Sequence, residues 1–302
     1  MTRRVAIAGS SGLIGGALRR HLEARGDEVL RLVRRRADGP GEVEWNPAKG
    51  VLDESALDRV DAIVNLAGVG IGDRRWNAEH KREVERSRTD ATGTIARAVV
   101  AHHERTGRAV KLVNGSAVGY YGDRGDEVLT EDSPPGSDFL AGVVTRWEGA
   151  AQPAVDAGLP VAFVRTGLVM AREGGAFKPV VLLGRLGLGG PMGSGREWWP
   201  WVTLVDEVRL LTHLVDHTEL VGPFNAAAPG AARQKEIAAA IGSALSRPAI
   251  LPAPQFALRA VVGEFADYVV ASQRMQPAAL LASGFEFEHP DLTSAVRWLV
   301  QS

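Results

Sequence analysis

Gly9-x-x-Gly12-x-x-Gly15 is the stretch that most narrows what this chain can become. Val5 and Ile7 alternate with small residues before it. Leu13, Ile14, Ala17, Leu18 and Leu22 follow at helical spacing, and Glu28 to Val33 reads as a second strand. In a strand, turn, helix, strand unit the turn must be tight and bare. A Cβ there would block either the approach of a ligand phosphate to backbone N–H groups or the packing of helix on strand. The first turn of the helix adds unpaired donors and the positive end of its dipole, so an anion fits there. The predicted ligand is a dinucleotide, contacted by Gly9, Ser10, Ser11, Gly12, Leu13, Ile14 and Gly15.

The end of the second strand refines this expectation. An Asp or Glu at that place would take the ribose 2′-OH of NAD, whereas this chain has Val33-Arg34-Arg35-Arg36. Cations there accommodate a 2′-phosphate, so the expected cofactor is NADP(H), with Arg34 as its contact. The competing reading of an arginine run is a solvated loop.

A formal net charge of −1 gives no electrostatic ground for a nucleic-acid or membrane partner. The chain has no cysteine, which rules out disulfides, zinc–thiolate sites and thiol nucleophiles, and no metal site is expected. No apolar run approaches the roughly 18 residues that span a bilayer, and the N-terminus leads directly into a strand. The expectation is a soluble cytoplasmic protein.

Arg59 to Gly68 reads as a buried parallel strand, and its end should lie beside the cofactor through Asn65, Leu66, Ala67 and Gly68. Asn77 to about Glu104 reads as a long helix, with Lys81, Ser87, Arg88 and Thr92 recurring on one face. Val110 to Ser116 is a strand, Gly119 to Pro135 a surface loop, Phe139 to Ala157 a helix and Pro160 to Gly167 a strand. Such alternation predicts an α/β fold with a doubly wound parallel sheet. Residues 1–167 form the expected nucleotide-binding domain, and 168–302 a smaller lobe from which segments can return to the main body. In that lobe Thr203 or Asp206 should cap a helix, and Phe224 to Ala226 should return as a strand. Phe256 to Met275 reads as a helix, Gly284 to Phe287 as a short strand and Leu292 to Val300 as a last helix.

Taken together, Gly9-x-x-Gly12-x-x-Gly15, Asn65-Leu-Ala-Gly68 and Ser116-x-x-x-x-Tyr121-Gly122 resemble the extended short-chain dehydrogenase/reductase superfamily. Finer features are similar to one branch of it. They include Arg75-Trp76, Ser87-Arg88, Trp147-Glu148, Gly193-Ser194-Gly195-Arg196-Glu197-Trp198 and a tail from Leu251-Pro252 to Gly284-Phe285. That branch is the NAD-dependent epimerase/dehydratase-like group whose eukaryotic members are called epimerase family SDR39U1. The resemblance implies a Rossmann-type sheet, a C-terminal region of its own at about 250–300, and Arg88 as a further cofactor contact. It also implies hydride transfer between the nicotinamide and a small molecule, an oxidoreductase or epimerase-like activity.

The superfamily's acid/base group is a Tyr-x-x-x-Lys pair, which this chain lacks. If Glu148 aligns with the glutamate that follows the pair, the two columns hold Leu140 and Val144, and the accompanying hydroxyl column falls on Ala117, one residue past Ser116. Three readings stay open. Ser116 with Tyr120 or Tyr121 supplies proton transfer; Glu148 or another carboxylate is the base; or nothing is turned over and the fold binds NADP(H) as a sensor or scaffold. The partner in each case is an unidentified small molecule, and an exposed helix face leaves room for a homodimer.

Overall fold

The computed structural model describes residues 2–301. Its strands are β1 (Arg4–Ala8), β2 (Glu28–Val33), β3 (Glu42–Glu44), β4 (Ala62–Asn65), β5 (Lys111–Ala117), β6 (Val128–Leu129), β7 (Val161–Thr166), β8 (Leu168–Met170), β9 (Trp198–Trp199), β10 (Trp201–Thr203), β11 (Gly222–Ala226), β12 (Ala232–Arg233) and β13 (Arg274–Met275). The longer helices are α1 (Leu13–Arg25), α2 (Ala78–Thr106), α3 (Phe139–Gly149), α4 (Gln152–Asp156), α5 (Phe177–Arg185), α6 (Leu204–Asp216), α7 (Gln234–Ala244), α8 (Gln255–Val262), α9 (Ala266–Val269), α10 (Ala278–Ala282) and α11 (Leu292–Val300).

Seven parallel strands form the central sheet in the order β11-β7-β5-β4-β1-β2-β3. Alternation along each strand sends apolar side chains to both faces. On one face Ala6, Ala8, Ile63 and Leu112 meet Ala91, Ile95 and Val99 of α2. On the other Val5, Ile7, Val64 and Val113 meet Leu18 and Leu22 of α1 and Leu210, Leu211 and Leu214 of α6. This is the Rossmann-type doubly wound arrangement expected from the sequence. The order reverses between β1 and β4, and ligands of such sheets lie outside the carboxyl ends at that switch. A separate apolar cluster joins Phe177, Trp199, Trp201, Ile237, Ile241, Val296 and Leu299, while α6 and β11 belong to the main sheet although they follow residue 168.

Four local expectations need correction. The helix expected from Phe139 to Ala157 is split after Gly149, and Pro153 in the second piece has no N–H to continue the ladder. The helix expected from Phe256 to Met275 stops at Gly263, whose φ of +67° and ψ of −142° are not helical. Arg274 and Met275 instead pair with β6. Gly284 to Phe287 is a loop beginning at φ +79°, whose Phe285 and Phe287 serve the core rather than a sheet. Finally, Gly119 to Pro135 is only partly a surface loop: it opens with a 3-10 turn, Val118–Tyr121, that buries Tyr121 completely.

Candidate functional site

The glycine turn divides into two kinds of position. Gly9 has a φ of +81°, and a Cβ on it would lie 2.6 Å from the Leu66 carbonyl oxygen; one on Gly15 would lie 2.2 Å from the Gly9 carbonyl oxygen. Both are demanded by the chain's own packing. Gly12 is not: a Cβ there meets only Gly9 O at 3.4 Å, an ordinary contact, and its residue is exposed. The space over Gly12 is left clear by the fold.

Gly12 is also the N-cap of α1, and it offers no side-chain acceptor; the first turn carries no acidic residue. Every other long crossover helix of the sheet is capped by a side chain: Asn77 accepts from His80 N, Asp138 from Ala141 N and Thr203 from Asp206 N. The amides at the start of α1 therefore lack the internal acceptor its neighbours have, which suits a phosphate. Ser10 is half-buried and Ser11 exposed on the turn, and Leu13 and Ile14 are half-buried beneath it. Gly174 and Gly175 pack against Leu13, so the segment after β8 closes one side of the turn.

At the end of β2 Arg35 separates from Arg34 and Arg36, whose side chains make no ion pair or hydrogen bond among the described residues. Arg35 pairs with Glu42 at 2.7 Å and with Asp38 at 2.8 Å, and Arg31 also reaches Glu42 at 2.7 Å. Arg34 is exposed and has no carboxylate or hydrogen-bond partner among the described residues. It is a cation at the strand end with its donors free.

At the end of β4 the residues also separate. Asn65 is fully buried; its Nδ2 donates to Thr92 Oγ1 at 2.9 Å and to Asn114 Oδ1 at 2.8 Å, while Oδ1 accepts from Ala67 N at 3.3 Å. It stitches β4 to β5 and α2 rather than facing a ligand. Leu66 and Ala67 are half-buried and Gly68 is exposed, with a Cβ on Gly68 falling 3.2 Å from the Arg88 guanidinium carbon. Arg88 has no acidic partner among the described residues. It donates to the carbonyls of Val69 and Val84 at 3.0 and 2.9 Å and lies 5.1 Å above the Trp147 ring. Burial lowers its pKa to about 10, which leaves it a cation at neutral pH. Of the other residues on that face of α2, Thr92 is buried, Ser87 accepts from Val69 N, and Lys81 pairs with Glu264 at 2.5 Å.

The four catalytic candidates lie in one network beneath the strand ends. Ser116 Oγ donates to Glu148 Oε1 at 2.6 Å. Arg165, fully paired on β7, donates from Nε to Oε1 at 2.9 Å and from Nη2 to Oε2 at 3.0 Å of the same carboxylate. Its Nη1 donates to the Tyr121 hydroxyl at 3.0 Å, which donates in turn to Asn225 Oδ1 at 2.6 Å. Tyr120 covers the guanidinium at 3.5 Å from its ring centroid. Burial raises the Tyr121 pKa despite the nearby Arg165 charge. Burial works against the charge of Arg165, but the bonds to Glu148 outweigh it and raise its pKa. These atoms are engaged with one another, and Ser116 and Tyr121 are 5% and 0% exposed. The columns where the superfamily keeps its pair hold Leu140 and Val144, both buried against Gly119.

Two polar residues that the sequence reading passed over lie beside this network. Glu207 of α6 is fully buried, with one carboxyl oxygen accepting from Thr166 Oγ1 at 2.8 Å at the end of β7 and the other without a partner among the described residues. A signal for it exists. Leu204, Glu207, Leu211 and Leu214 fall on one helical stripe, and an acid in an apolar stripe is out of place. Trp199 and Trp201 are core residues, whereas Trp198 lies between Arg233 and Arg274 with its indole N–H on Asp126 at 2.7 Å. No helix among the described residues is long and apolar enough to cross a membrane.

Comparison with known proteins places this geometry. The NAD dependent epimerase/dehydratase family matches residues 5–227, and a domain of unknown function, DUF1731, matches residues 253–299. Epimerase family protein ML0860 of Mycobacterium leprae is 42% identical over 295 residues, 97% of this chain and 94% of its own. Epimerase family protein SDR39U1 of Mus musculus is 39% identical over 302 residues, 98% of this chain and 99% of its own. The crystal structure of human epimerase family protein SDR39U1 (isoform 2) with NADPH superimposes with a TM-score of 0.87 at 36% identity, covering 98% of each chain. With a family match over most of its length and relatives of this identity across the whole of it, the chain belongs to the NAD dependent epimerase/dehydratase family.

Proposed function

We propose that this protein binds NADP(H) and acts as an oxidoreductase of the epimerase/dehydratase type on a small molecule. One observation carries the reading: α1 begins at an open, exposed Gly12 with no acceptor or acid of the chain's own, while Arg34 stands uncommitted at the end of β2. The donor set fits a phosphorylated dinucleotide. The α1 amides take a pyrophosphate, Arg34 a 2′-phosphate, and Arg88, a cation next to Gly68 bonded only to the carbonyls of Val69 and Val84 among the described residues, neutralises further phosphate or ribose oxygen charge. The NADPH in the human relative's crystal structure supports the same assignment. When bound, the nicotinamide supplies hydride chemistry, and the protein's part is to bind, orient and manage protons.

Proton management differs from that of the superfamily. Leu140 and Val144 cannot exchange a proton; Ser116 is held by Glu148, Glu148 by Arg165, and Tyr121 by Arg165 and Asn225. Tyr120 is half-buried, lies over Arg165, and is the candidate with a free hydroxyl among the described residues. The same observation favours a second reading, an NADP(H)-binding regulatory protein without turnover. The two are separated by saturating the protein with NADPH, adding a panel of carbonyl and nucleotide-sugar compounds, and following nicotinamide absorbance. Oxidation of NADPH that depends on Tyr120 supports the enzyme. Binding without oxidation over the whole panel supports the regulatory protein.

A further inference from the structure

Many arginines of this chain spend their donors on a carboxylate, as Arg25 does on Asp216, Arg35 on Glu42 and Arg146 on Glu85. Three cations around one cavity do not. The cavity, of about 260 Å³, lies between α5, the residues that follow β8 and the end of α11. Arg172, Lys178 and Arg185 line it, and no Asp or Glu does. None of the three has a carboxylate partner among the described residues.

The sequence of α5 builds one wall. Lys178, Val181, Leu182 and Arg185 stand at i, i+3, i+4 and i+7, so a single stripe of the helix lines the cavity with a cation at either end and apolar groups between. Seven residues put the two cations two turns apart, about 10 Å along the axis. Leu182 is 57% exposed, an apolar surface that the fold leaves uncovered in the middle of the stripe. Leu299 of α11 adds apolar lining from the other element.

Arg172 is fixed in advance. It donates from Nε at 2.8 Å, and also from Nη2, to the Trp298 carbonyl oxygen, and its guanidinium lies 4.9 Å over the Trp298 ring. A carbonyl and a ring face orient the group without neutralising it, and Nη1 keeps its donors. Three positive charges with no acid among them, set around an apolar middle, complement an anion that carries more than one charge and a hydrocarbon body. The volume is just under the range of about 300–1,000 Å³ that drug-sized ligands fill, so the occupant is small.

We propose that this cavity binds a linear aliphatic dicarboxylate of about six carbons, a length suited to the two-turn gap once a charge-assisted hydrogen bond forms at each end. One carboxylate meets Lys178, the other meets Arg185, and the chain lies on Val181, Leu182 and Leu299 while Arg172 adds attraction from the facing side. The site uses none of the groups assigned to NADP(H), and it stands whether or not that reading does.

The test is calorimetric titration of the native protein with adipate, succinate, hexanoate and hexane-1,6-diol at one low ionic strength, where screening is weak. Adipate binds with a Kd on the order of 0.1–1 mM, and the other three bind at least about tenfold more weakly, because succinate falls short of the gap, hexanoate lacks one charge and the diol lacks both. Lys178→Gln and Arg185→Gln each bring adipate to the level of hexanoate. Both side chains are exposed, so the urea midpoint stays where it is. Leu182→Ser weakens adipate several-fold and leaves succinate unchanged. Adipate no tighter than hexanoate or succinate overturns the proposal, as does the absence of binding at about 10 mM adipate. Adipate binding that survives both charge substitutions also overturns it, since the anion is then held elsewhere, as at the open turn around Gly12.

Discussion

Arg165 holds Glu148 by two parallel hydrogen bonds, 2.9 Å from Nε to Oε1 and 3.0 Å from Nη2 to Oε2, with both side chains largely withdrawn from water. A fork of this kind fixes two elements at once, here α3 and β7, and it makes the glutamate a counterion before it can be a base. Removing one partner leaves the other charge buried and unpaired. Glu148→Ala should therefore destabilise the fold by about 3–5 kcal/mol, read from urea unfolding. NADPH affinity measured on the folded fraction should be nearly unchanged. A variant of native stability that has lost activity alone would assign Glu148 to chemistry.

The glycine turn gives a sharper contrast. Gly15→Ala puts a methyl 2.2 Å from the Gly9 carbonyl oxygen and should cost roughly 1–3 kcal/mol or more of stability. Gly12→Ala meets nothing in the chain closer than 3.4 Å, so its unfolding midpoint should shift little while NADPH binding falls by about tenfold or more. Paired unfolding and binding curves check both. A Gly12→Ala protein that binds NADPH normally would show that the open space is not the phosphate site.

Glu207 predicts a pH effect on stability with a definite sign. Its folded pKa is raised from 4.5 to about 8 by burial, so folding favours the protonated form. The contribution is fully present below about pH 4.5 and is lost as pH rises toward about 8, at about 1.4 kcal/mol per pH unit within that window. Beyond about 8 it levels off. Glu207→Gln should lack this slope. Urea unfolding of both proteins at several pH values measures it, and parallel curves would mean that Glu207 ionises normally.

How much of the molecule is legible in its sequence depends on the range of the physics involved. The Gly9 to Gly15 turn and the Thr203 cap are short-range steric and hydrogen-bond requirements, and both are legible residue by residue. Asn65 shows the limit. A polar residue closing a strand can face a ligand or stitch neighbouring strands, and only the arrival of Thr92 and Asn114 from elsewhere decides for the stitch. Arg34 could be told from Arg35 only once Glu42 was brought alongside by β3. The Thr166–Glu207 pair spans 41 positions and needs α6 to be laid under β7, so no local pattern announces it beyond one acid in an apolar stripe. The helix breaks at Pro153 and Gly263 were legible in principle, since one lacks a donor and the other tolerates positive φ, but the apolar periodicity on either side overrode them.

The most direct test of the account is the affinity of the protein for NADPH and NADH by isothermal titration calorimetry, with and without Arg34→Asp. On the proposed reading Arg34 supplies a free guanidinium to a 2′-phosphate that only NADPH carries. The native protein should prefer NADPH by about 10- to 100-fold, and Arg34→Asp should abolish that preference while leaving NADH binding intact. Equal affinity for the two cofactors in the native protein, or a preference that survives the substitution, would contradict it.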